Sequence, residues 1–335
     1  MTVQSNIQPL RFLTREFDIF LGFSWRDWST TIIPGSIFSI GAMRQGTHLH
    51  SNPLTLLANY TFLVFWLTPY IYFFNLSNQI TGVDEDQINK PDRPIPSGKV
   101  TLAGAKVRWS AALAAFLGIA LYETSILPET LCWIATVAFL CLTEAGNHWF
   151  GKNCVAMTAG TWALLSTSWK AIAPATSQSE RYVVAIAVWS GLLTHIQDLR
   201  DIKGDTAVGR KTLPLVVGDG QCRFIITFAM VPLGLSVLWA GDVLQIAPAL
   251  VVGVHAFLGW RIMHAKGPRY DHKTYMVIVS RFFGLMWKLN TPLQLYTYIF
   301  CLLLALTSVR DLKVNLSAIP ATWKFSAKRS NVLAL

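Results

Sequence analysis

Acidic and amide side chains with helical spacing follow a long apolar stretch that ends near residue 77. If a helix continues through them, positions i, i+4, i+7 and i+8 share one face. The residues at those positions are Asn78, Gly82, Glu85 and Asp86. Asp84 lies off this face. The stretch therefore predicts one helix face that carries two carboxylates and an amide.

A second acidic cluster follows another apolar stretch later in the chain. Asp198, Asp201 and Asp205 occupy positions i, i+3 and i+7, which again form one helix face. Facing carboxylates repel one another unless a cation lies between them, and Mg²⁺ prefers oxygen ligands that it shares with phosphates. One such cluster alone is explained by a solvated helix end. Two of them favour a magnesium site.

Basic residues accompany both clusters. Lys90 and Arg93 lie in the proline-rich segment KPDRPIP, where three prolines stiffen the backbone. Lys203, Arg210 and Lys211 accompany the second cluster. Cationic side chains beside carboxylates that hold a metal are suited to an anionic ligand with several oxygens. The pattern therefore predicts a diphosphate held by Mg²⁺ and by Lys and Arg.

The elements that must position these residues are membrane helices. Of 335 residues, 53% are hydrophobic and only 14% are charged, against roughly 25% charged in ordinary soluble domains. A water-soluble protein is therefore excluded. Nine segments approach the roughly 20 apolar residues of a spanning helix: 28–46, 54–76, 101–122, 128–147, 154–173, 182–197, 223–241, 243–263 and 289–309. We predict one nine-helix membrane domain over 28–309, an interfacial amphipathic segment over 1–27, and a polar tail over 310–335.

The charge distribution predicts how the chain is oriented. With nine spans, most of the 28 Lys and Arg residues fall on the side that holds the N-terminus and the even-numbered loops. The positive-inside rule places that side in the cytosol. Both acidic clusters follow even-numbered spans, so they are expected at the same membrane surface. The net charge of +10 then reflects orientation and diphosphate binding rather than affinity for nucleic acid.

Together these motifs resemble the UbiA superfamily of intramembrane prenyltransferases. The pattern of Asn78 and Asp86 followed by KPDRPIPSG, and later QDLRDIKGD followed by GRKTLPLVVGD, is similar to the two motifs of that superfamily. The resemblance implies an all-α bundle of nine transmembrane helices around a central lateral cavity, with Mg²⁺ holding a prenyl diphosphate. It also implies that Asn78, Asp86, Asp198, Asp201 and Asp205 bind the metal and are the catalytic residues.

Two positions depart from the superfamily pattern. Gly82 stands where an aspartate is usual, and Glu85 on the same face is predicted to replace it as a metal ligand, with Asp84 as the alternative. The loop after the fourth span has His148 where a tyrosine is frequent, followed by Lys152. Lys152 joins Lys90, Arg93, Lys203, Arg210 and Lys211 as a predicted diphosphate ligand.

The resemblance further implies the type of reaction. The Asn-Gln opening, the missing aspartate and the Glu85-Asp86 pair are more similar to the fungal terpene cyclases of the superfamily than to its aromatic-ring transferases. We expect ionisation of a C15 or C20 prenyl diphosphate and cyclisation of the carbocation. The alternative is transfer of the prenyl group to an aromatic or quinone-precursor acceptor. The expected partners are the prenyl diphosphate and the lipid membrane, with an endomembrane as the expected location.

A transporter is a hypothesis from another class. Carboxylates inside membrane helices mark ion paths in such proteins. However, transporter sites lie near the bilayer midplane in broken helices, whereas both clusters here follow the ends of apolar stretches. The sequence therefore favours an enzyme.

Overall fold

The computed structural model describes residues 7–44, 52–264, 266–267, 270–271, 274 and 295–309. The described part contains helices and no strands. The α-helices are α1 (Ile7–Ser24), α2 (Ile32–Arg44), α3 (Pro53–Thr81), α4 (Val83–Asn89), α5 (Leu102–Tyr122), α6 (Leu127–Leu142), α7 (Thr158–Lys170), α8 (Ser177–Leu193), α9 (His195–Ala207), α10 (Leu213–Val217), α11 (Asp219–Ile225), α12 (Val231–Ala240), α13 (Pro248–Met263) and α14 (Leu295–Val309). Segments Phe150–Met157 and Ile226–Met230 are π-helical. The predicted tail 310–335 lies outside the described residues.

Five helical stretches in the described residues are long and apolar enough to cross a membrane. They are Pro53–Thr81, Leu102–Tyr122, Thr124–Leu142, Ser177–Ala207 and Asp219–Ala240. The other four predicted spans coincide with shorter helices, namely α2, α7 with its preceding π-helix, α13 and α14. The all-α architecture is thus confirmed, and the count of nine spans stays a prediction.

Helix ends are fixed by local capping side chains. The Thr101 hydroxyl accepts from the Gly104 backbone N–H at 3.1 Å and begins α5. Thr176 and Ser179 form a reciprocal capping box at the start of α8. Such caps satisfy backbone N–H groups that lack a partner within the helix. They set where each helix begins along the bundle.

The centre of the bundle is an aromatic cluster on α3, α5 and α6. Tyr70 stacks on Trp133 with ring centroids 4.3 Å apart, and the Tyr70 hydroxyl donates to the Gly160 carbonyl at 2.9 Å. Trp66 contacts Tyr70 and Phe116 and donates its indole N–H to Thr130. These rings are almost fully buried against one another. They therefore pack the core of the bundle.

The N-terminal helix α1 is attached to the bundle at several points. Phe20 and Phe23 contact the Tyr72 ring of α3. Two ion pairs join α1 to the region around the start of α5: Lys99 with Asp18 at 2.7 Å, and Arg108 with Glu16 at 2.5 Å. Just after α1, Arg26 pairs with Asp92 of the proline-rich loop. The segment predicted as interfacial thus contacts the loop that carries Lys90 and Arg93.

Candidate active site

The two acidic clusters come together at one end of the bundle. The first extends from the last turns of α3 into α4, across a one-residue break at Gly82, and the second lies on α9 after a break at Thr194. Arg210 connects them, because its Nη2 lies 2.7 Å from Glu85 Oε2 and its Nη1 lies 3.3 Å from Asp205 Oδ1. Residues far apart in sequence therefore form one charged cluster.

In the first cluster, Asp86 is the buried carboxylate. It is 2% exposed, and both of its oxygens accept from Arg93 Nη1 at 2.7 Å. Lys90 lies close by, and burial together with the neighbouring Arg93 charge lowers the pKa of its ammonium. The carboxylates of Asp86, Glu85 and Asp201 oppose that shift. The Lys90 ammonium is thus subject to the charges of both clusters.

In the second cluster, Asp198 is held from two directions. Lys152 Nζ lies 2.7 Å from Asp198 Oδ1, and the Asn153 side-chain amide donates to Oδ2 at 2.7 Å. The same Asn153 amide lies 2.8 Å from His195 Nδ1. Both Lys152 and Asn153 come from the π-helix, a form that occurs often at functional sites. Asp198 is 1% exposed, so these contacts replace its hydration.

The remaining two aspartates of α9 differ in their surroundings. Asp201 is half-buried and pairs with the neighbouring Arg200 at 2.8 Å. Asp205 is 1% exposed, and its Oδ2 has no hydrogen-bond partner in the described part of the chain. A buried carboxylate oxygen without a donor is costly unless a cation or another ligand satisfies it.

The structure distinguishes the two candidates for the carboxylate missing at Gly82. Asp84 is exposed, whereas Glu85 faces Arg210. A Cβ atom added at Gly82 would lie 3.8 Å from Glu85 Oε2. Glu85 therefore supplies a carboxylate in the region that a side chain at position 82 would reach, and its role as a metal ligand stays a prediction.

Three predicted site residues make fewer side-chain contacts with the charged cluster than the others do. Lys203 and Lys211 have exposed side chains, and no ion pair among the described residues joins either of them to the cluster. Lys211 instead contributes backbone hydrogen bonds to Asn147 and Trp149. Asn78 is half-buried at the end of α3, where its carbonyl accepts from the Gly82 N–H. These side chains border the charged cluster without pairing in it.

Sequence reasoning missed Asp27 and Asn153. Asp27 lies between α1 and α2, and burial raises the pKa of its carboxyl despite the nearby Arg93 and Lys90 charges. An acid among aromatic residues gives no periodic signal, so nothing in the sequence marked it. Asn153 directly follows Lys152, and that adjacency was the only available signal.

The donor set fits a hard divalent cation. Its atoms are carboxylate and amide oxygens, and the buried oxygens Asp205 Oδ2 and Asn153 Oδ1 have no partner among the described residues. No three His, Cys, Asp or Glu side chains of the described ranges are gathered closely enough to enclose a metal. Each carboxylate of the cluster pairs instead with Lys or Arg. The residues therefore suit a metal that arrives together with an anionic ligand.

Comparison with known proteins decides the family. Residues 36–287 match the UbiA prenyltransferase family. The chain belongs to the UbiA prenyltransferase family. Two proteins of Hericium erinaceus are similar to this UbiA-family chain. Diterpene cyclase eriG is 63% identical, over 91% of this chain and 92% of the relative, and polyprenyl transferase eriF is 59% identical, over 89% and 96%.

A solved structure supports the same fold. The structure of a UbiA homolog from Archaeoglobus fulgidus bound to GPP and Mg²⁺ superposes with a TM-score of 0.58 and covers 88% of this chain and 99% of that one. The sequence identity is 13%, so the likeness concerns the fold alone. The family match and the 63% identical relative confirm the resemblance read from the two motifs.

Proposed function

We propose that this UbiA-family protein is a magnesium-dependent, membrane-bound terpene cyclase. Its substrate would be a C15 or C20 prenyl diphosphate, with C20 favoured by the 63% identity to a diterpene cyclase. The observation that carries the proposal is the convergence of both acidic motifs with Lys90, Arg93, Lys152 and Arg210 at one end of the helical bundle. Such a cluster suits a diphosphate and the cations that it brings.

The acidic and the basic side chains of the cluster have different proposed partners. The proposed metal ligands are Asn78, Glu85, Asp86, Asp198, Asp201 and Asp205. Bound Mg²⁺ supplies Lewis-acid stabilisation of negative charge on the diphosphate. The described structure gives each buried carboxylate a basic partner, and those partners would contact the diphosphate oxygens.

The basic side chains assist departure of the leaving group. As the carbon–oxygen bond breaks, its electron pair leaves with the diphosphate, and negative charge develops on that group. Arg93, Lys152 and Arg210 are already held in place by carboxylates at 2.7 Å, so little reorganisation accompanies that charge. Lys203 and Lys211, whose side chains are exposed, keep their proposed role as diphosphate ligands.

The apolar part of the protein protects the allylic cation that remains. Water must be excluded from such a cation until it has attacked its own double bonds and lost a proton. Aromatic faces attract a cation by about 0.5–2 kcal/mol each. The rings of Trp66, Tyr70 and Phe73 on α3 are buried in the packed core of the bundle. We therefore assign them a structural role around the site and no catalytic role.

Prenyl transfer is the second candidate. The 59% identity to a polyprenyl transferase, close to the 63% to the cyclase, is the observation that favours it. Both reactions share ionisation of the prenyl diphosphate at the charged cluster. They differ in whether the cation reacts with one of its own double bonds or with an aromatic acceptor.

The chain would function as a multi-pass membrane protein with the N-terminus and both acidic motifs in the cytosol. The five helices that are long and apolar enough to span a membrane support the multi-pass arrangement. The excess of basic residues on one predicted side supports the orientation. An endomembrane is the proposed location.

One incubation tests the proposed function. Membranes that contain the protein are mixed with Mg²⁺ and C10, C15 or C20 prenyl diphosphate, without any acceptor. We expect a cyclic hydrocarbon and free diphosphate, and neither from membranes that contain Asp198→Ala at equal abundance. Absence of product until an aromatic acceptor is added would establish the transferase, and no diphosphate release under either condition would refute both candidates.

A further inference from the structure

Two adjoining cavities form a groove on the outer surface of α6, α8, α7 and the π-helix before it. The groove begins near Cys154 and extends toward the ends of these helices that point away from Asp198. The larger cavity, of about 460 Å³, is lined almost entirely by apolar groups, among them Val155, Ala159 and Val188. Trp162 and Val184 line both cavities, so the two cavities meet at these side chains. Val155 is 44% and Val184 52% exposed, so this side of the bundle faces the surrounding lipid.

The smaller cavity, of about 230 Å³, gives the groove a polar end. Its lining includes Glu129, Ser166, Lys170 and Glu180. All four lie at the ends of α6, α7 and α8 that point away from Asp198. At about 1.5 Å per residue, the helical stretch from Glu180 to Asp198 spans roughly 27 Å, close to the ~30 Å of a bilayer core. The polar end therefore lies at the membrane surface opposite the charged cluster.

Glu129 at this polar end has one oxygen that the protein does not satisfy. Its side chain is 1% exposed, and its Oε1 accepts from both Lys170 Nζ and Ser166 Oγ at 2.7 Å. Oε2 is buried and has no hydrogen-bond partner in the part of the chain that the structure describes. A buried carboxylate oxygen needs a donor. Because Glu129 lines the cavity, a ligand in the cavity can supply that donor.

The lining indicates what kind of donor fits. Two carboxylates, of Glu129 and Glu180, and one ammonium, of Lys170, line the polar end, so its negative charge favours a cationic group. The indoles of Trp162 and Trp169 line the same cavity and attract cations. A cationic group can donate to Glu129 Oε2 only if it carries an N–H, which a primary ammonium does and a quaternary ammonium does not. The apolar groove beside it suits a hydrocarbon chain.

We propose that this groove binds an ethanolamine phospholipid. The ammonium group donates to Glu129 Oε2 between the two indoles, the phosphate lies beside the Lys170 ammonium, and an acyl chain follows the apolar groove past Val184. The source of the ligand is the lipid of the membrane leaflet at that surface. The proposal does not depend on which reaction the charged cluster catalyses.

Native mass spectrometry of the full-length, delipidated protein tests the proposal. The protein in detergent is offered equal amounts of phosphatidylethanolamine, phosphatidylcholine and phosphatidylglycerol with identical acyl chains. We expect one phosphatidylethanolamine per protein, retained about tenfold more than either of the others, which corresponds to about 1.4 kcal/mol. Val184→Trp fills the junction of the two cavities and should abolish this retention. Val107→Trp on α5 is the matched control, because Val107 is 71% exposed and lies outside the groove.

A second variant tests the chemistry of the polar end. Glu129→Gln keeps an acceptor for Ser166 and Lys170 but replaces the second oxygen with a donor, so the preference for ethanolamine over choline should be lost. Glu144→Gln, at an exposed carboxylate near the other end of α6, should keep it. Equal retention of the three lipids, unchanged retention in Val184→Trp, or one-for-one displacement of the lipid by a prenyl diphosphate would each overturn the proposal. If Glu129→Gln does not fold, the comparison of Val184→Trp with Val107→Trp still tests the proposal.

Discussion

Asn153 offers the sharpest test of how the second acidic cluster is organised. Its side-chain amide donates to Asp198 Oδ2 at 2.7 Å and lies 2.8 Å from His195 Nδ1, while Lys152 holds the other Asp198 oxygen. Asn153→Ala removes the amide and leaves the Lys152 pair intact. Asp198 would then keep its charge partner but lose the contact that fixes its orientation.

The structure sets the size of the expected effect. Asp198 is 1% and Asn153 0% exposed, so water does not readily replace the lost hydrogen bond. A hydrogen bond to a charged group contributes about 1.5–3 kcal/mol. If this hydrogen bond stabilises the transition state by that amount, its loss lowers kcat/KM for the prenyl diphosphate roughly 10- to 150-fold, at about 1.4 kcal/mol per factor of ten.

The assay measures diphosphate release as a function of both prenyl diphosphate and Mg²⁺ concentration. We expect Asn153→Ala to raise the Mg²⁺ concentration needed for half-maximal rate, because an Asp198 carboxylate that is free to rotate binds a cation less well. Asn147→Ala is the control, since Asn147 is exposed nearby on the same connection. Thermal unfolding of both variants separates loss of orientation from loss of fold. A variant with wild-type kcat/KM and wild-type Mg²⁺ dependence would refute the positioning role.

Three further predictions concern the same cluster. Asp86→Ala, Asp198→Ala and Asp201→Ala should each abolish diphosphate release while the protein still inserts into membranes, measured by activity at matched abundance; wild-type turnover by any of them would contradict its assignment as a metal ligand. Excess chelator should stop the reaction and added Mg²⁺ should restore it, whereas turnover in chelator would exclude the proposed metal. Glu85→Gln should lower kcat/KM by about tenfold, because a charge-assisted bond worth about 1.5 kcal/mol is lost. The neighbouring Asp84→Asn should leave kcat/KM unchanged, and equal effects of the two variants would show that Glu85 does not replace the missing aspartate.

Helical periodicity was enough to predict how the carboxylates of the cluster are arranged. Asp198, Asp201 and Asp205 lie on one helix, and Glu85 rather than Asp84 turns toward the second cluster. These outcomes depend on local geometry, which spacing along a helix determines. The interruption at Gly82 did not disturb them, because backbone hydrogen bonds from Gly82 to Asn78 and from Asp86 to Gly82 keep the helical register.

Residues brought in by tertiary packing could not be predicted in the same way. Asn153 reaches Asp198 because the π-helix before α7 packs against α8, which leads into α9. Asp27 is buried near the Arg93 charge, while α1 packs on α3. No periodic pattern in the sequence predicts either arrangement.

The attachment of α1 has a consequence for exchanging parts between related enzymes. The segment that ends at Asp27 contacts the proline-rich loop through Arg26 and Gly22, and Gly22 leaves room for Pro94, which would lie 3.1 Å from an added Cβ atom. A chimera that takes its first 30 residues from one relative and the remainder from another would therefore place the helix of one protein against the proline-rich loop of the other. Such grafts need to carry the loop together with the helix.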